Sequence, residues 1–315
     1  MKVLDACAAP GGKSAYLCEQ MQLTGRVYAW ELHEKRAQLL EGVRRRLGLD
    51  NLRTAVIGKK YAQETLGFYN RGKQFPELVM NAVNGSIQSV MLPVLADEQD
   101  DVSRMKQMMR RSVMVSSFLV LPMMAGLAAV ARPLVSLLLT DKWLPCVPFL
   151  QICCIDFAFY PIHTANLQAI NAMGRSDVFL KLEIVKKSYG IAILCVTVFC
   201  FEGVLPIVWG AVVSTVISSF VNAFPNKKLI HYGYWEQIRD ILPPIGMSLV
   251  MFLSVSALGR LPLGSLPLLL VQVVAGVLLY GGMSLLFKPE SFRCLVQMAA
   301  ALRRKAARSK GGTEA

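Results

Sequence analysis

Six stretches of this chain contain no Asp, Glu, Lys or Arg, and their lengths decide what it can fold into. They run from Leu78 to Ala96, Ser112 to Ala131, Ser188 to Phe201, Gly203 to Asn226, Ile241 to Gly259 and Leu261 to Phe287. A seventh, Trp143 to Gly174, carries one charge, Asp156. A helix crossing the hydrocarbon core needs about 20 apolar residues, and several of these runs reach that length. Hydrophobic residues make up 54% of the 315 and charged residues only 17%, against roughly 25% charge in an average soluble domain. The fold class is therefore mainly α, a multi-pass transmembrane helix bundle of about seven spans. Soluble, disordered and disulfide-stapled classes are excluded.

The spacing of cations gives an expected orientation. Lys and Arg number four around Arg104 to Arg111, two at Arg132 and Lys142, four from Arg175 to Lys187 and none at Glu202. They then number three at Lys227, Lys228 and Arg239, one at Arg260 and seven from Lys288 onward. Cytoplasmic loops carry the excess of Lys and Arg, so this alternation predicts a cytoplasmic C-terminus. It also accounts for most of the +13 net charge without nucleic acid, and RNA is not expected as a partner. After Pro289, Phe292, Leu295, Val296, Ala299 and Leu302 recur at helical spacing ahead of a basic cluster. That pattern fits an interfacial helix on an anionic leaflet, or a solvated basic tail serving as a topology anchor.

Polar residues inside the spans are the functional candidates. Asp156 is the only acid deep in a run, and an intramembrane ionisable group is a functional hypothesis by default. Tyr160 and His163 follow at four and seven residues, on one helical face, and Asn166 extends the polarity. These four read as the wall of a substrate or ion pathway, or as an interhelical hydrogen-bond cluster that holds the bundle together. Arg132, beside Pro133, reads as a boundary residue whose side chain snorkels. The eight cysteines form no CxxC and no Cys/His group with zinc spacing, so no metal site is expected.

The first sixty residues differ, with 11 Lys/Arg, 6 Asp/Glu and no long apolar run. Val3-Leu4-Asp5 reads as a strand, Ala8 to Lys13 as a glycine turn, Ser14 to Met21 as a helix, Arg26 to Glu31 as a second strand and His33 to Leu47 as a basic helix. This is the start of a Rossmann-like α/β sheet, in which backbone N–H groups of the turn can approach a ligand and Glu31 stands where an acid accepts ribose hydroxyls. No signal peptide is visible.

Two resemblances then emerge. YNRGKQFPELV (Tyr69 to Val79), SIQSVMLPVLADEQDD (Ser86 to Asp101), PLVSLLLTDKWLPCVPFLQI (Pro133 to Ile152) and HTANLQAINAMGRSDVFLKLEIVKK (His163 to Lys187) resemble the C-terminal half of bacterial polysaccharide (lipopolysaccharide or O-antigen) flippases. These belong to the oligosaccharide exporter, MATE-like superfamily, and the resemblance covers about residues 56 to 290. It implies an inner-membrane protein that needs no cofactor and moves undecaprenyl-pyrophosphate-linked oligosaccharide by alternating access between two bundles. Only one bundle is matched, so transport is expected to require a second copy or a separate N-terminal half.

LDACAAPGGKS (Leu4 to Ser14) and GRVYAWELHEKRAQLLEGVRRRLGL (Gly25 to Leu49) resemble the motif I region of Nop/Sun-type RNA cytosine-5 methyltransferases, over about residues 1 to 55. That resemblance implies S-adenosylmethionine as cofactor, with Ala8, Ala9, Pro10, Gly11, Gly12 and Lys13 around its methionine part and Glu31 on its ribose. The family's catalytic cysteine motifs lie on later strands that are not recognised here, and Pro145-Cys146, the only Pro-Cys pair, falls at a span. No catalytic residue is assigned. The expected organisation is a truncated methyltransferase fragment at 1–57, a flippase-like membrane domain at 58–287 and a basic tail at 288–315. The junction falls within about 45–60, joining two truncated parents into a chimera whose membrane part is either a transporter or a fragment without activity.

Overall fold

A computed structural model describes residues 2–5, 8–22, 24–31, 34–56, 63–97 and 101–297; the side chains of 2, 34, 56, 63 and 84–97 lie outside that description. The chain divides into two compact units, Met1–Thr65 and Leu66–Ala315.

In the first unit, strands β1 (Lys2–Asp5), β2 (Arg26–Glu31) and β3 (Leu52–Val56) form a parallel sheet in the order β1-β2-β3. Parallel neighbours need crossover connections, and helices α1 (Gly12–Gln20) and α2 (Glu34–Leu47) supply them. The third strand adds to the two read from the sequence: LRTAV pairs Leu52 with Val27 and Val56 with Glu31. Cys18, Val27, Ala29, Leu40, Leu49 and Leu52 form the small core, where alternate strand residues meet the inner faces of both helices. Glu41 ties α2 to β3. The Arg44 guanidinium, then the Thr54 hydroxyl, hydrogen-bonds its carboxylate and holds it below the usual Glu range.

The second unit is helical. Helix α3 (Gln63–Asp97) starts ahead of Tyr69 despite the charges that precede it. Helix α4 (Val102–Ala129) is N-capped by Asp101, whose carboxylate accepts from the N–H groups of Ser103 at 3.0 Å and Arg104 at 3.1 Å; such a cap satisfies donors that the first turn leaves unpaired. Next come α5 (Ala131–Leu139), a 3-10 turn (Asp141–Cys146), α6 (Val147–Ala158) and α7 (Tyr160–Ala172). Helices α8 (Ser176–Cys200), α9 (Leu205–Leu229), α10 (Tyr234–Leu258) and α11 (Ser265–Phe287) complete the bundle, and residues 290–297 are again helical.

Among the described residues, five segments are long and apolar enough to cross a membrane: Val102–Ala129, Asp141–Ala172, Leu205–Leu229, Tyr234–Leu258 and Ser265–Phe287. The sequence count of about seven is thus met at five. Helix α8 is long enough, but Lys181, Glu183, Lys186 and Lys187 charge its first half. The expected Leu78 to Ala96 span lies in α3, largely where side chains are not described. Outward apolar surface is heaviest on α11, where Val277, Leu278 and Leu286 are each more than two-thirds exposed. In hydrocarbon that surface has no reason to be covered.

The two largest of four apolar clusters among this unit's described residues hold the bundle. One joins α4, α7 and α10 through Met105, Met109, Val113, Ile162, Ala169, Tyr232 and Ile241. The other joins α3, α4, α5 and α6 through Met80, Val120, Met124, Val135, Leu150 and Cys154. Ion pairs close one end of the α4/α10 seam: Arg110 grips Asp240 at 2.8 and 2.7 Å, and the Lys106 ammonium donates to Glu236 at 3.0 Å. Helices α3 and α6 touch at Gly72, where an added Cβ would lie 2.8 Å from the Cys146 carbonyl oxygen and 2.9 Å from the Leu150 nitrogen. Those neighbours are backbone, so the helices must part. Gly72→Ala is expected to destabilise the unit by about 1–3 kcal/mol, the usual cost of overpacking, whereas Gly67→Ala, with open space around its Cβ, should not. Thermal unfolding of the two variants in detergent checks this.

Candidate functional site

The span Asp141–Ala172 is broken near its middle, and the break follows from one residue. Pro161 has no backbone N–H, so the helical bond it would donate cannot form. The Phe159 N–H instead turns back three residues to the Asp156 carbonyl at 3.3 Å, ending α6, and α7 begins at Tyr160 with proline in its first turn. Asp156 and Tyr160 therefore flank an interruption in the span, with His163 one turn beyond.

The three line a cavity of about 340 Å³, together with Gln168 and Asn171 of α7, Phe179 of α8 and Thr215 of α9. The Thr215 side chain is the hydrogen-bonding neighbour of Asp156. Asp156 Oδ1 and Gln168 Oε1 are buried with no hydrogen-bond partner. Buried acceptors left this way call for a donor, so the cavity is built to hold water, a cation or a ligand hydroxyl.

His163 is fixed from both sides of its ring. Nδ1 lies 2.9 Å from the Asn222 amide nitrogen, which donates to it, and Nε2 lies 3.1 Å from the Thr215 carbonyl, an acceptor. With the amide in this orientation, the proton sits on Nε2 and the ring is neutral. His163 thus links α7 to α9 while presenting one edge to the cavity.

Asn166 does not line the cavity. It is fully buried in a cluster of three amides, one each from α7, α9 and α10. Its Nδ2 donates to the Ile162 carbonyl at 2.8 Å and to Gln237 Oε1 at 2.7 Å, and its Oδ1 accepts from Asn226 at 2.7 Å and Gln237 at 3.0 Å. Of the four candidates, the structure brings Asp156, Tyr160 and His163 to one cavity and gives Asn166 to the framework.

Two groups of site residues escaped the sequence reading. Tyr69, Lys73 and Glu77 recur every fourth position along one face of α3. The Lys73 charge bears on Asp156 and Cys153, and Tyr69 feels Asp156 and Glu77. The spacing was visible in YNRGKQFPE. Arg132, read as a boundary residue, in fact joins Arg260, Asp141, Gln151 and Gln272 around a second cavity of about 620 Å³, bounded by α5, α10 and α11. Its signal was that Arg132 and Arg260 fall in segments on the same expected side of the membrane.

In the first unit the structure brings Ala8 to Lys13 and Glu31 together where β1 and β2 end. Gly11 takes φ +110°, open to glycine, and a Cβ there would meet Leu40 at 3.0 Å. Glu31, buried, accepts from the Ala9 N–H at 3.3 Å, and Ser14 donates to Asp5 at 2.7 Å. Gly12 and Lys13 are exposed, with open space beside Gly12.

With this geometry in hand, comparison with known proteins shows what the chain is similar to. Residues 39–148 match the family described as "Polysaccharide biosynthesis protein". The chain shares its fold with a solved structure of the lipid II flippase MurJ in an inward closed conformation, with a TM-score of 0.62 at 16% identity over 75% of this chain and 49% of that one. The teichuronic acid biosynthesis protein TuaB of Bacillus subtilis is 22% identical over 228 residues, 72% of this chain and 45% of TuaB. A separate, shorter similarity runs to a probable ribosomal RNA small subunit methyltransferase B of B. subtilis, 38% identical over 80 residues, 25% of this chain and 17% of that protein. The resemblance to polysaccharide flippases thus holds over most of the chain and that to rRNA methyltransferases over a short segment. The chain spans less than half the length of these curated relatives.

The amide cluster generates a stability test. Asn166→Leu leaves the Asn226 and Gln237 amides buried with bonds unmade, each costing about 1–3 kcal/mol, whereas Asp156→Ala removes a carboxylate whose Oδ1 has no partner. The unfolding midpoint in detergent should fall clearly for the first variant and little for the second.

Proposed function

We propose that the second unit is one half of a flippase that moves an undecaprenyl-pyrophosphate-linked oligosaccharide across the bacterial inner membrane. A second copy or a separate N-terminal half completes the pathway, and the C-terminus is cytoplasmic, the side favoured by the seven Lys/Arg from Lys288 onward. The observation that carries this reading is the broken Asp141–Ala172 span, whose interruption places unpaired acceptors beside a polar cavity. Discontinuous helices of this kind form midplane binding sites in transporters that work by alternating access. The fold shared with MurJ and the similarity to TuaB support it.

In this mechanism Asp156 is the group that meets the substrate or a coupling ion, with the Lys73 charge on α3 bearing on it. His163, held neutral, offers a fixed polar edge, and Tyr160 closes the cavity rim. A donor entering the cavity satisfies Asp156 Oδ1 and Gln168 Oε1 and stabilises the state in which both residues line it. No cofactor is required. Reconstituted with the half that completes it, the protein should flip lipid-linked oligosaccharide in liposomes. Asp156→Ala should reduce the rate about tenfold or more, the effect of losing one charge-assisted bond, with membrane insertion intact. Unchanged flipping would return Asp156 to the framework.

A second reading concerns the first unit alone, and the 38% similarity favours it. Its sheet is the start of a Rossmann-like fold, with Ala8 to Lys13 placed for the methionine part of S-adenosylmethionine and Glu31 for its ribose. The open space at Gly12 fits a ligand approach, while Glu31 is engaged by the Ala9 N–H, so ribose binding requires that bond to yield. S-adenosylmethionine supplies a methyl group when bound; these residues would only hold it. Photocrosslinking with labelled S-adenosylmethionine should label residues 5 to 31 if the cradle is competent, and absence of label at saturating cofactor ends this reading.

A further inference from the structure

Where α4 and α10 begin and α11 ends, Arg110, Arg111 and Arg293 surround a cavity of about 450 Å³, with Gln107, Gln297 and Glu290 on its edge. The three guanidinium groups are not equivalent. Arg110 holds Asp240 through two bonds at 2.8 and 2.7 Å, and a further bond at 2.9 Å joins it to Glu290. Both nearby acids are thus engaged by one arginine. Arg111 and Arg293 form no ion pair among the described residues. The chain beyond adds Arg303, Arg304, Lys305, Arg308 and Lys310 against a single acid, Glu314, in sequence.

The recess is preformed. Phe292 packs on Phe118 at 6.0 Å between ring centroids, Tyr280 packs on the same ring at 5.2 Å, and the Tyr280 hydroxyl donates to the Phe118 carbonyl at 2.9 Å. Ser291 and Cys294 are buried. These contacts, with the Arg110–Glu290 bridge, dock the start of the tail helix on α4 and hold Arg293 near Arg111. Guanidinium groups bind phosphate oxygens through paired N–H donors, and the Gln107 and Gln297 amides can add donors to the same anion. Leu286, Phe287 and Val296, all more than half exposed, adjoin the cations in the chain. An anion that fits carries both phosphate and acyl chains.

We propose that this recess binds the phosphate of a membrane lipid, with Arg111 and Arg293 as its ligands and Arg110 as the residue that positions the tail helix. Two lipids share that chemistry: an anionic bilayer phospholipid and a polyprenyl pyrophosphate. The inference stands independently of transport, because it needs only the folded second unit.

The test uses the full chain in phosphatidylcholine nanodiscs, titrated with phosphatidylglycerol, polyprenyl pyrophosphate or inorganic pyrophosphate, and reads binding as a rise in unfolding midpoint. Phosphatidylglycerol or polyprenyl pyrophosphate should raise the midpoint, and in R111Q/R293Q the apparent affinity should fall about tenfold or more, as expected when two charge-assisted contacts are lost. K181Q/K187Q removes the same charge from exposed positions on α8 and should leave affinity unchanged. Whichever lipid displaces the other identifies the source of the phosphate. Equal loss in both double variants would overturn the site as nonspecific charge attraction. A response to inorganic pyrophosphate that matches the lipids would overturn the assignment to a lipid.

Discussion

The structure depends on one demand of the bilayer: polar groups buried there must find partners within the protein. The Asn166, Asn226 and Gln237 amides meet it by pairing with one another and with backbone carbonyls across α7, α9 and α10. That cluster anchors α7 one turn beyond the proline break. Without it the half-span after Phe159 would be held mainly by small apolar contacts at Ala165, Ala169 and Ala172. His163, two faces of its ring committed to α9, extends the same anchorage toward the interruption.

The framework is not fully paired, since Asn222 Oδ1 and Asn226 Oδ1 are also buried without a partner. Asp156 Oδ1 and Gln168 Oε1 are unpaired on the cavity wall, and Gln272 Oε1 is unpaired beside the second cavity. What sets these three acceptors apart is that they belong to residues lining a cavity, where there is space for a ligand. In the proposed function, Asn166 serves the fold, Asp156 on α6 serves the chemistry, and His163 belongs to both, tied to α9 and lining the cavity.

Much of this was legible in the sequence, and the limits have physical causes. Charge-free runs marked the helices because length and apolarity are what a bilayer selects, and the i, i+4, i+7 spacing of Asp156, Tyr160 and His163 placed them on one face. The same periodicity assigned Asn166 to that face, since one helix's sequence cannot tell whether an amide meets a cavity or another amide 60 or 71 residues away. The α3 face of Tyr69, Lys73 and Glu77 was missed because spacing along one helix does not tell what that face meets, here an acid on α6 on which the Lys73 charge bears. Strand β3 was obscured for a related reason: LRTAV gains meaning only beside β2. Arg132 looked like a boundary residue because its cavity is closed by α10 and α11, more than a hundred residues later.

Accessibility of the broken span is the direct test of this account. In a background with the native cysteines replaced, Asp156→Cys and Gln168→Cys should react with a membrane-impermeant maleimide, while Ala165→Cys and Ala169→Cys, buried against the framework, should not. Equal protection of all four positions would contradict a polar, water-accessible cavity at the break and leave the span a structural element alone.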